Sequence, residues 1–241
     1  MIYITGDTHC EFRRLSHKAW DEGRAFTKDD YVIIAGDFGL LWKGFLSDEE
    51  IYWTTWLNEK PWTTLFVSGN HENYTRLKQL TEVEMFEGKV GKVSNSIFHL
   101  KTGEVYMIPD KNENGEVVHK RIFTFGGAAS IDKHLRREYV SWWPEENPSY
   151  AEMQKGLENL EKHNNEVDVV ITHTIPLGLF PLLGVGVRFD IKDVAEEYLG
   201  EVRKILKFKK WYFGHWHINK KISFEGNSYH GLYEDIVRLE E

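Results

Sequence analysis

Thr64-Leu65-Phe66-Val67-Ser68-Gly69-Asn70-His71-Glu72 is the stretch from which the fold can be read. Its first four residues are apolar, aromatic or β-branched, and the run is too short for a helix, so it predicts a buried strand. Ser68-Gly69 ends the run with a turn signal. An amide, an imidazole and a carboxylate then emerge together. A buried strand that delivers such side chains at its carboxyl end places chemistry at the rim of a sheet.

Working outward, the same pattern recurs. Residues 2–5 form a short strand ended by Gly6, with Asp7, Thr8 and His9 next. Residues 31–35 form another, ended by Gly36 and followed by Asp37. Residues 167–172 lead to His173, and residues 210–213 lead to Gly214-His215-Trp216-His217. Helices are predicted between them. Residues 11–24 carry Phe12, Leu15 and Ala19 on one face. Ser47 and Glu50 have the spacing of a capping box, opening a helix to about residue 59 with Ile51 and Trp56 or Leu57 inward. One or two turns are expected at 74–80. Asn147-Pro148 looks like an N-cap with Pro at the first helical position, for a helix to about residue 164. Residues 191–207 form the last helix. The middle of the chain differs: residues 93–108 alternate as antiparallel strands do, Asn114-Gly115 is a hairpin signal, and residues 121–125 resume a strand. Residues 220–239 alternate and are expected as edge strands. Strand-helix-strand rhythm gives the α/β class, and one domain over residues 1–241 accounts for the whole pattern.

The chain of 241 residues is 41% hydrophobic, enough for a sizeable core. Its formal net charge of -8 argues against a general nucleic-acid binder held by phosphate contacts. Cys10 is the only cysteine, so no intramolecular disulfide forms, which fits a reducing compartment. No basic and apolar leader pattern opens the sequence, and no apolar run approaches membrane-spanning length. The expectation is a cytoplasmic protein without a membrane partner.

Five strand ends carry one kind of cargo: Asp7 with His9, Asp37, Asn70 with His71, His173, and His215 with His217. All are metal-ligand types. The i, i+2 spacing of Asp7/His9 and His215/His217 puts two side chains on one side of an extended chain. Seven ligands, before His71 is counted, exceed what one tetrahedral metal needs. Two metals sharing a carboxylate use the set better, and a pair about 3.5–4 Å apart clamps both oxygens of an in-line displacement.

Asp7-Thr8-His9, Gly36-Asp37, Gly69-Asn70-His71-Glu72, Thr172-His173 and Gly214-His215-Trp216-His217, in this order, resemble the signature of the calcineurin-like metallophosphoesterases, the small bacterial and phage enzymes above all. The resemblance implies two mixed β-sheets packed face to face as a sandwich and flanked by helices, four layers in the order αββα. It implies that Asp7, His9 and His217 hold one metal, that Asn70, His173 and His215 hold the second, and that Asp37 bridges them. His71 would sit over the substrate as the general acid for the leaving oxygen, opposite a hydroxide bridging the metals. Nitrogen and oxygen donors of this kind suit two divalent ions, with Mn, Fe and Zn as candidates. The expected activity is metal-dependent hydrolysis of a phosphomono- or diester, with a nucleotide or nucleic-acid end within the range of substrates.

Two other functions were weighed against it. Protein Ser/Thr phosphatases share Gly-Asn-His-Glu, but their second block runs Gly-Asp-x-Val-Asp-Arg-Gly. Here Gly36-Asp37-Phe38-Gly39-Leu40-Leu41-Trp42 puts leucines where the histidine-orienting Asp and the phosphate-holding Arg belong. A non-catalytic metal-binding scaffold would be favoured by loss of a ligand or of His71, and none is replaced. The missing clamp directs attention to Arg136 and Arg137, in the irregular stretch 128–147 with Trp142 and Trp143. That stretch is either a packed loop with solvated arginines or a substrate lip in which arginine meets phosphate. Ser130-Ile131-Asp132 follows a strand end, which brings the segment to the site rim. Asn73, Tyr74 and Arg188 are further rim candidates. Glu72 is expected as an N-cap or as support for the turn, and Cys10 as a small residue beside the site.

Overall fold

All four residues of β1 (Ile2–Thr5), β2 (Tyr31–Ile34) and β3 (Thr63–Phe66) are buried in the computed structural model, which describes residues 1–184, 186 and 192–239. Strands without an exposed face need a layer on each side. The sheet they belong to also contains β4 (Thr81–Met85), β5 (Gly88–Lys92), β6 (Ile97–Leu100) and β13 (Ile236–Arg238), in the order β13-β1-β2-β3-β6-β5-β4. The second sheet is built from β7 (Glu104–Lys111), β8 (Val117–Phe125), β9 (Val169–Thr172), β10 (Lys210–Phe213), β11 (Lys220–Phe224) and β12 (Asn227–Gly231), in the order β11-β12-β10-β9-β8-β7. Both are mixed. Each has a parallel centre (β1-β2-β3-β6 and β8-β9-β10-β12) with antiparallel strands at its margins.

The alternation of side chains along each strand divides the core into layers. Ile2, Ile4, Ile33 and Leu65 of the first sheet meet Ile122, Ile171 and Tyr212 of the second. On the outer face of the first sheet, Tyr3, Val32, Ile34 and Phe66 pack with Phe12, Phe38, Trp53 and Trp62. On the outer face of the second, Phe123, Phe125, Val170 and Trp211 pack with Leu160, Leu199 and Val202. The covering helices are α1 (Asp48–Asn58) on the first sheet, and α3 (Tyr150–Lys162) and α5 (Val194–Ile205) on the second; α2 (Tyr74–Leu77) and α4 (Phe180–Leu183) are single turns. This is the expected two-sheet sandwich flanked by helices. Among the described residues no helix is long and apolar enough to cross a membrane.

Several local expectations need correcting. Residues 11–24 do not form a helix but two 3-10 turns, Arg13–Leu15 and Glu22–Ala25. Phe12 and Leu15 are buried as the pattern required, but Ser16 turns to extended backbone, and Arg14 is drawn to the backbone of Asp7 and Tyr233. Helix α1 has the predicted Ser47 cap, yet its buried face is Glu50, Trp53 and Leu57, leaving Ile51 exposed. The rotation follows from Glu50, which is held by Arg76 at 2.5 and 2.8 Å instead of completing the capping box. Helix α3 starts two residues later than expected, capped by Ser149 with a complete box to Glu152. In the tail, β11 and β13 are edge strands, but β12 lies inside its sheet.

Candidate functional site

The carboxyl ends of β1, β2 and β3 from one sheet and of β9 and β10 from the other deliver Asp7 and His9, Asp37, Asn70 and His71, His173, and His215 and His217. The structure brings all of these side chains together. The loops are tied to one another by backbone bonds: Thr8 and His9 N–H donate to the Asp37 carbonyl at 3.1 and 2.8 Å, and Gly214 N–H donates to the His173 carbonyl at 2.9 Å.

The donor atoms fall into two groups. In the first, His217 Nε2 lies 3.0 Å from Asp7 Oδ2 and 3.2 Å from His9 Nε2, and His9 Nε2 lies 3.7 Å from Asp37 Oδ2. In the second, Asn70 Oδ1 lies 3.0 Å from both His173 Nε2 and His215 Nδ1, and His173 Nε2 lies 3.4 Å from Asp37 Oδ1. Metal–ligand bonds of about 2.1 Å separate neighbouring ligand atoms by about 3.0 Å in an octahedron and about 3.4 Å in a tetrahedron. Both groups therefore fit a divalent cation, and each takes one oxygen of Asp37. The Nδ1 of His173 lies 3.1 Å from the Ala35 carbonyl, to which it donates, and this contact turns Nε2 toward the centre.

Backbone geometry is committed to this arrangement. His9, Asp37, His215 and His217 all lie at positive φ, between 46° and 66°. Two glycines allow the close approach of ligands from other loops. A Cβ on Gly36 would stand 2.0 Å from His173 Nδ1, and one on Gly214 would stand 2.1 Å from Asp7 Oδ1.

The protonation of the site suits cation binding. Burial holds the His9 pKa below its ordinary value, and burial together with His173 pushes His215 down to about 3, so both rings are neutral. His217 is the exception, raised by its hydrogen bond to Asp7. Burial alone would raise Asp7, but its bond to His217 and the neighbouring His173 and His215 outweigh that and hold it low.

His71 is placed beside the centre, over the same opening. Its backbone N–H donates to Asp37 Oδ1 at 2.7 Å, its ring meets His9 edge-on at 4.9 Å, and Trp42 stacks on it at 5.8 Å. One ring nitrogen, His9 and Asp37 come within 4.8 Å of each other, close enough for a third cation-binding triad. Arg136 argues against that use: its Nη2 donates to His71 Nε2 at 2.9 Å and puts a positive charge there. An arginine only donates, so this nitrogen accepts and the ring is neutral. Burial is the main cause of a His71 pKa of about 4, with Arg136 adding to it against the pull of Asp37. Arg136 Nε pairs with Asp132 at 2.8 Å, while its buried Nη1 has no partner among the described residues. A cavity of about 230 Å³ opens next to His9 and His71, walled by Cys10, Leu40, Trp42, Lys43 and Glu49.

The other candidates separate. Arg137 has an exposed side chain, and its carbonyl collects the N–H groups of Val140, Ser141 and Trp142 in a turn. Trp143 is buried, donates to Thr75 Oγ1 at 3.0 Å and packs on Trp42. Asn73 caps α2 and holds the Trp42 carbonyl, and Tyr74 donates to the Gly69 carbonyl at 2.9 Å. Glu72 supports a turn: Oε1 accepts from Phe38 N–H at 2.7 Å and from Gly39 N–H at 3.3 Å, bracing the loop that carries Asp37. Cys10 lines the cavity with its thiol pushed up to about 12 by burial. Arg188 lies outside the described residues. Sequence reasoning missed Glu146, which is buried against Ser130, and Tyr233, which stacks on His217 at 4.4 Å. Neither lies in a motif, and only the position of Ser130 after a strand end signalled that its loop reaches the site.

The family model described as calcineurin-like phosphoesterase matches residues 1–219. Phosphopantetheinyl hydrolase from Mycobacterium tuberculosis is similar over 97% of this chain and 89% of its own, at 16% identity and a TM-score of 0.49. A putative 5'-nucleotidase from Staphylococcus aureus is similar over 97% of this chain and 48% of its own, at 13% identity and a TM-score of 0.48. No curated protein matches the sequence. With the family model spanning the strand ends that carry every candidate ligand, the chain belongs to the calcineurin-like phosphoesterases and is a metal-dependent phosphoric ester hydrolase.

Proposed function

We propose that the protein hydrolyses a phosphomono- or diester at a centre of two divalent cations, with Mn, Fe and Zn as candidates. The observation that carries this is the Asp37 carboxylate, whose Oδ2 faces one group of donors and whose Oδ1 faces the other. Asp7, His9 and His217 hold one ion, and Asn70, His173 and His215 the other. Two such cations supply a water of lowered pKa and neutralise the charge of the phosphoryl oxygens.

The chain's own residues do the rest. Leu40 and Leu41 are buried, so these two positions of the Asp37 loop offer no charged group to the phosphoryl oxygens. Arg136 fills that place from the opposite loop. Its Nη1, without a partner among the described residues, and the Nη2 now on His71 would turn together as a fork that matches two phosphoryl oxygens. Binding a phosphoryl group there takes Arg136 off His71 Nε2 and sets a negative charge beside the ring, which raises its pKa. His71 then takes up a proton from solvent at Nε2 and gives it to the leaving oxygen. The leaving group occupies the cavity walled by Leu40, Trp42 and Lys43, which has an aromatic face and a charged edge. A nucleotide or nucleic-acid end is a substrate of that kind. Arg137 adds positive charge at the rim. The site of action we propose is the cytoplasm.

Hydrolysis of p-nitrophenyl phosphate and its bis ester with added Mn tests the proposal. Asp37→Asn should lower turnover by more than about a hundredfold, because a shared ligand exceeds the 10- to 100-fold losses of outer-shell groups. Wild-type rates in Asp37→Asn or His71→Ala would sink the mechanism.

A further inference from the structure

We infer that Glu146, acting through Ser130, fixes which way round the Asn70 amide sits and thereby sets the affinity of the second cation site. The inference rests on the two-cation reading of Asp37 and concerns one ligand of that centre.

The segment 128–147 contributes a buried polar relay to the site. Glu146 and Ser130 are 0% and 3% exposed. Ser130 N–H donates to Glu146 Oε1 at 2.8 Å, and Ser130 Oγ donates to Glu146 Oε2 at 2.6 Å. A hydroxyl has one hydrogen, and here the carboxylate takes it. What Ser130 Oγ offers on its other side is a lone pair. Only a donor can face it, and Asn70 Nδ2 does so at 3.0 Å. The amide oxygen must then point the opposite way, where it lies 3.0 Å from both His173 Nε2 and His215 Nδ1. An amide turned over would aim two N–H groups at a cation. Asn70 itself has no charge to resist that turn, so its orientation is decided by the direction of the Ser130 hydroxyl. Glu146 is therefore a positioning residue, and it never touches the ion.

The polarity of the relay makes an isosteric variant informative. In Glu146→Gln, the Ser130 N–H still demands the amide oxygen. The amide nitrogen then faces Ser130 Oγ and donates to it. That turns the hydroxyl hydrogen toward Asn70, where it favours the inverted amide. Packing is unchanged and only the hydrogen-bond direction reverses.

Isothermal titration of the metal-free protein with Mn reads the outcome. Glu146→Gln should bind the first ion as wild type does and the second about 10- to 100-fold more weakly, the range for outer-shell partners. Ser130→Ala should also weaken the second ion, and Ser130→Thr, which keeps the hydroxyl, should restore it. Glu146→Gln that binds both ions with wild-type affinity overturns the inference and leaves the two-cation reading intact. Wild-type protein that takes up a single ion overturns both. If Glu146→Gln does not fold, Ser130→Ala decides on the same isotherm.

Discussion

Gly214 and Arg136 show how closely single residues are fitted to this centre. A methyl group on Gly214 would collide with Asp7 Oδ1, a buried atom that also accepts the His215 N–H at 3.0 Å. Gly214→Ala should displace Asp7 and cut turnover more than about tenfold, with bound metal falling toward one ion per chain on elemental analysis. The site already holds four non-glycine ligands at positive φ, a conformation that costs on the order of 1–3 kcal/mol per residue. Arg136 is fitted in another sense, since its Nε pairs with Asp132, its Nη2 meets His71, and its buried Nη1 has no partner among the described residues. Removing a charged hydrogen-bond partner costs about 1.5–3 kcal/mol, so Arg136→Ala should lower kcat/KM about 10- to 100-fold. Arg136→Lys should recover only part, because it keeps the charge and loses the fork. Arg137→Ala, with its exposed side chain, should change KM less.

Strand β6 carries a titration that the whole fold feels. His99 is buried beside Phe66, at a ring separation of 5.0 Å, and neither ring nitrogen has a partner. Burial pulls its pKa to about 4. Unfolding returns it to about 6.5, so between those values the unfolded chain binds more protons and stability rises with pH. The stabilisation is complete above about pH 6.5 and is lost as the pH falls toward 4, by about 3 kcal/mol at 1.36 kcal/mol per pKa unit. His99→Leu should flatten that limb, as read from urea midpoints between pH 4 and 7. The elements also show what the sequence could and could not say. Buried parallel strands are continuous apolar runs, and a run that stops at Gly-Asp or Thr-His announces its own end, so the strand ends that the fold gathers at one place were legible. Residues 11–24 were not. The spacing of Phe12 and Leu15 is common to an α-helix and a 3-10 turn, and Arg14 is committed to partners over two hundred residues away at Tyr233. The face of α1 was misread for a similar reason, because burial of Glu50 depends on Arg76. Glu146 left no trace in a motif, since a hydrogen bond made across a loop has no period.

On the scale of the molecule, the proposed ligands come from both layers of the sandwich: Asp7, His9, Asp37 and Asn70 from one sheet, His173, His215 and His217 from the other. Cations bound there join the sheets. Mn at a hundredfold excess over its Kd should stabilise the protein by about 2.7 kcal/mol per site, raising Tm in a thermal scan. EDTA should reverse the gain, and Asp37→Asn should remove most of it. The sheet order has a different consequence. Strand β1 pairs with β13, Tyr3 opposite Arg238, so β1 leaves the ribosome more than two hundred residues ahead of this partner. Until β13 is made, one edge of β1 stays open, and an open apolar edge is a template for pairing with other chains. His215 follows Asp7 by 208 residues, so a nascent chain lacks His215 and His217 while its first strands pair. Production of the folded protein should therefore respond to translation rate and to chaperone supply more than its core alone would suggest, with soluble yield as the measure.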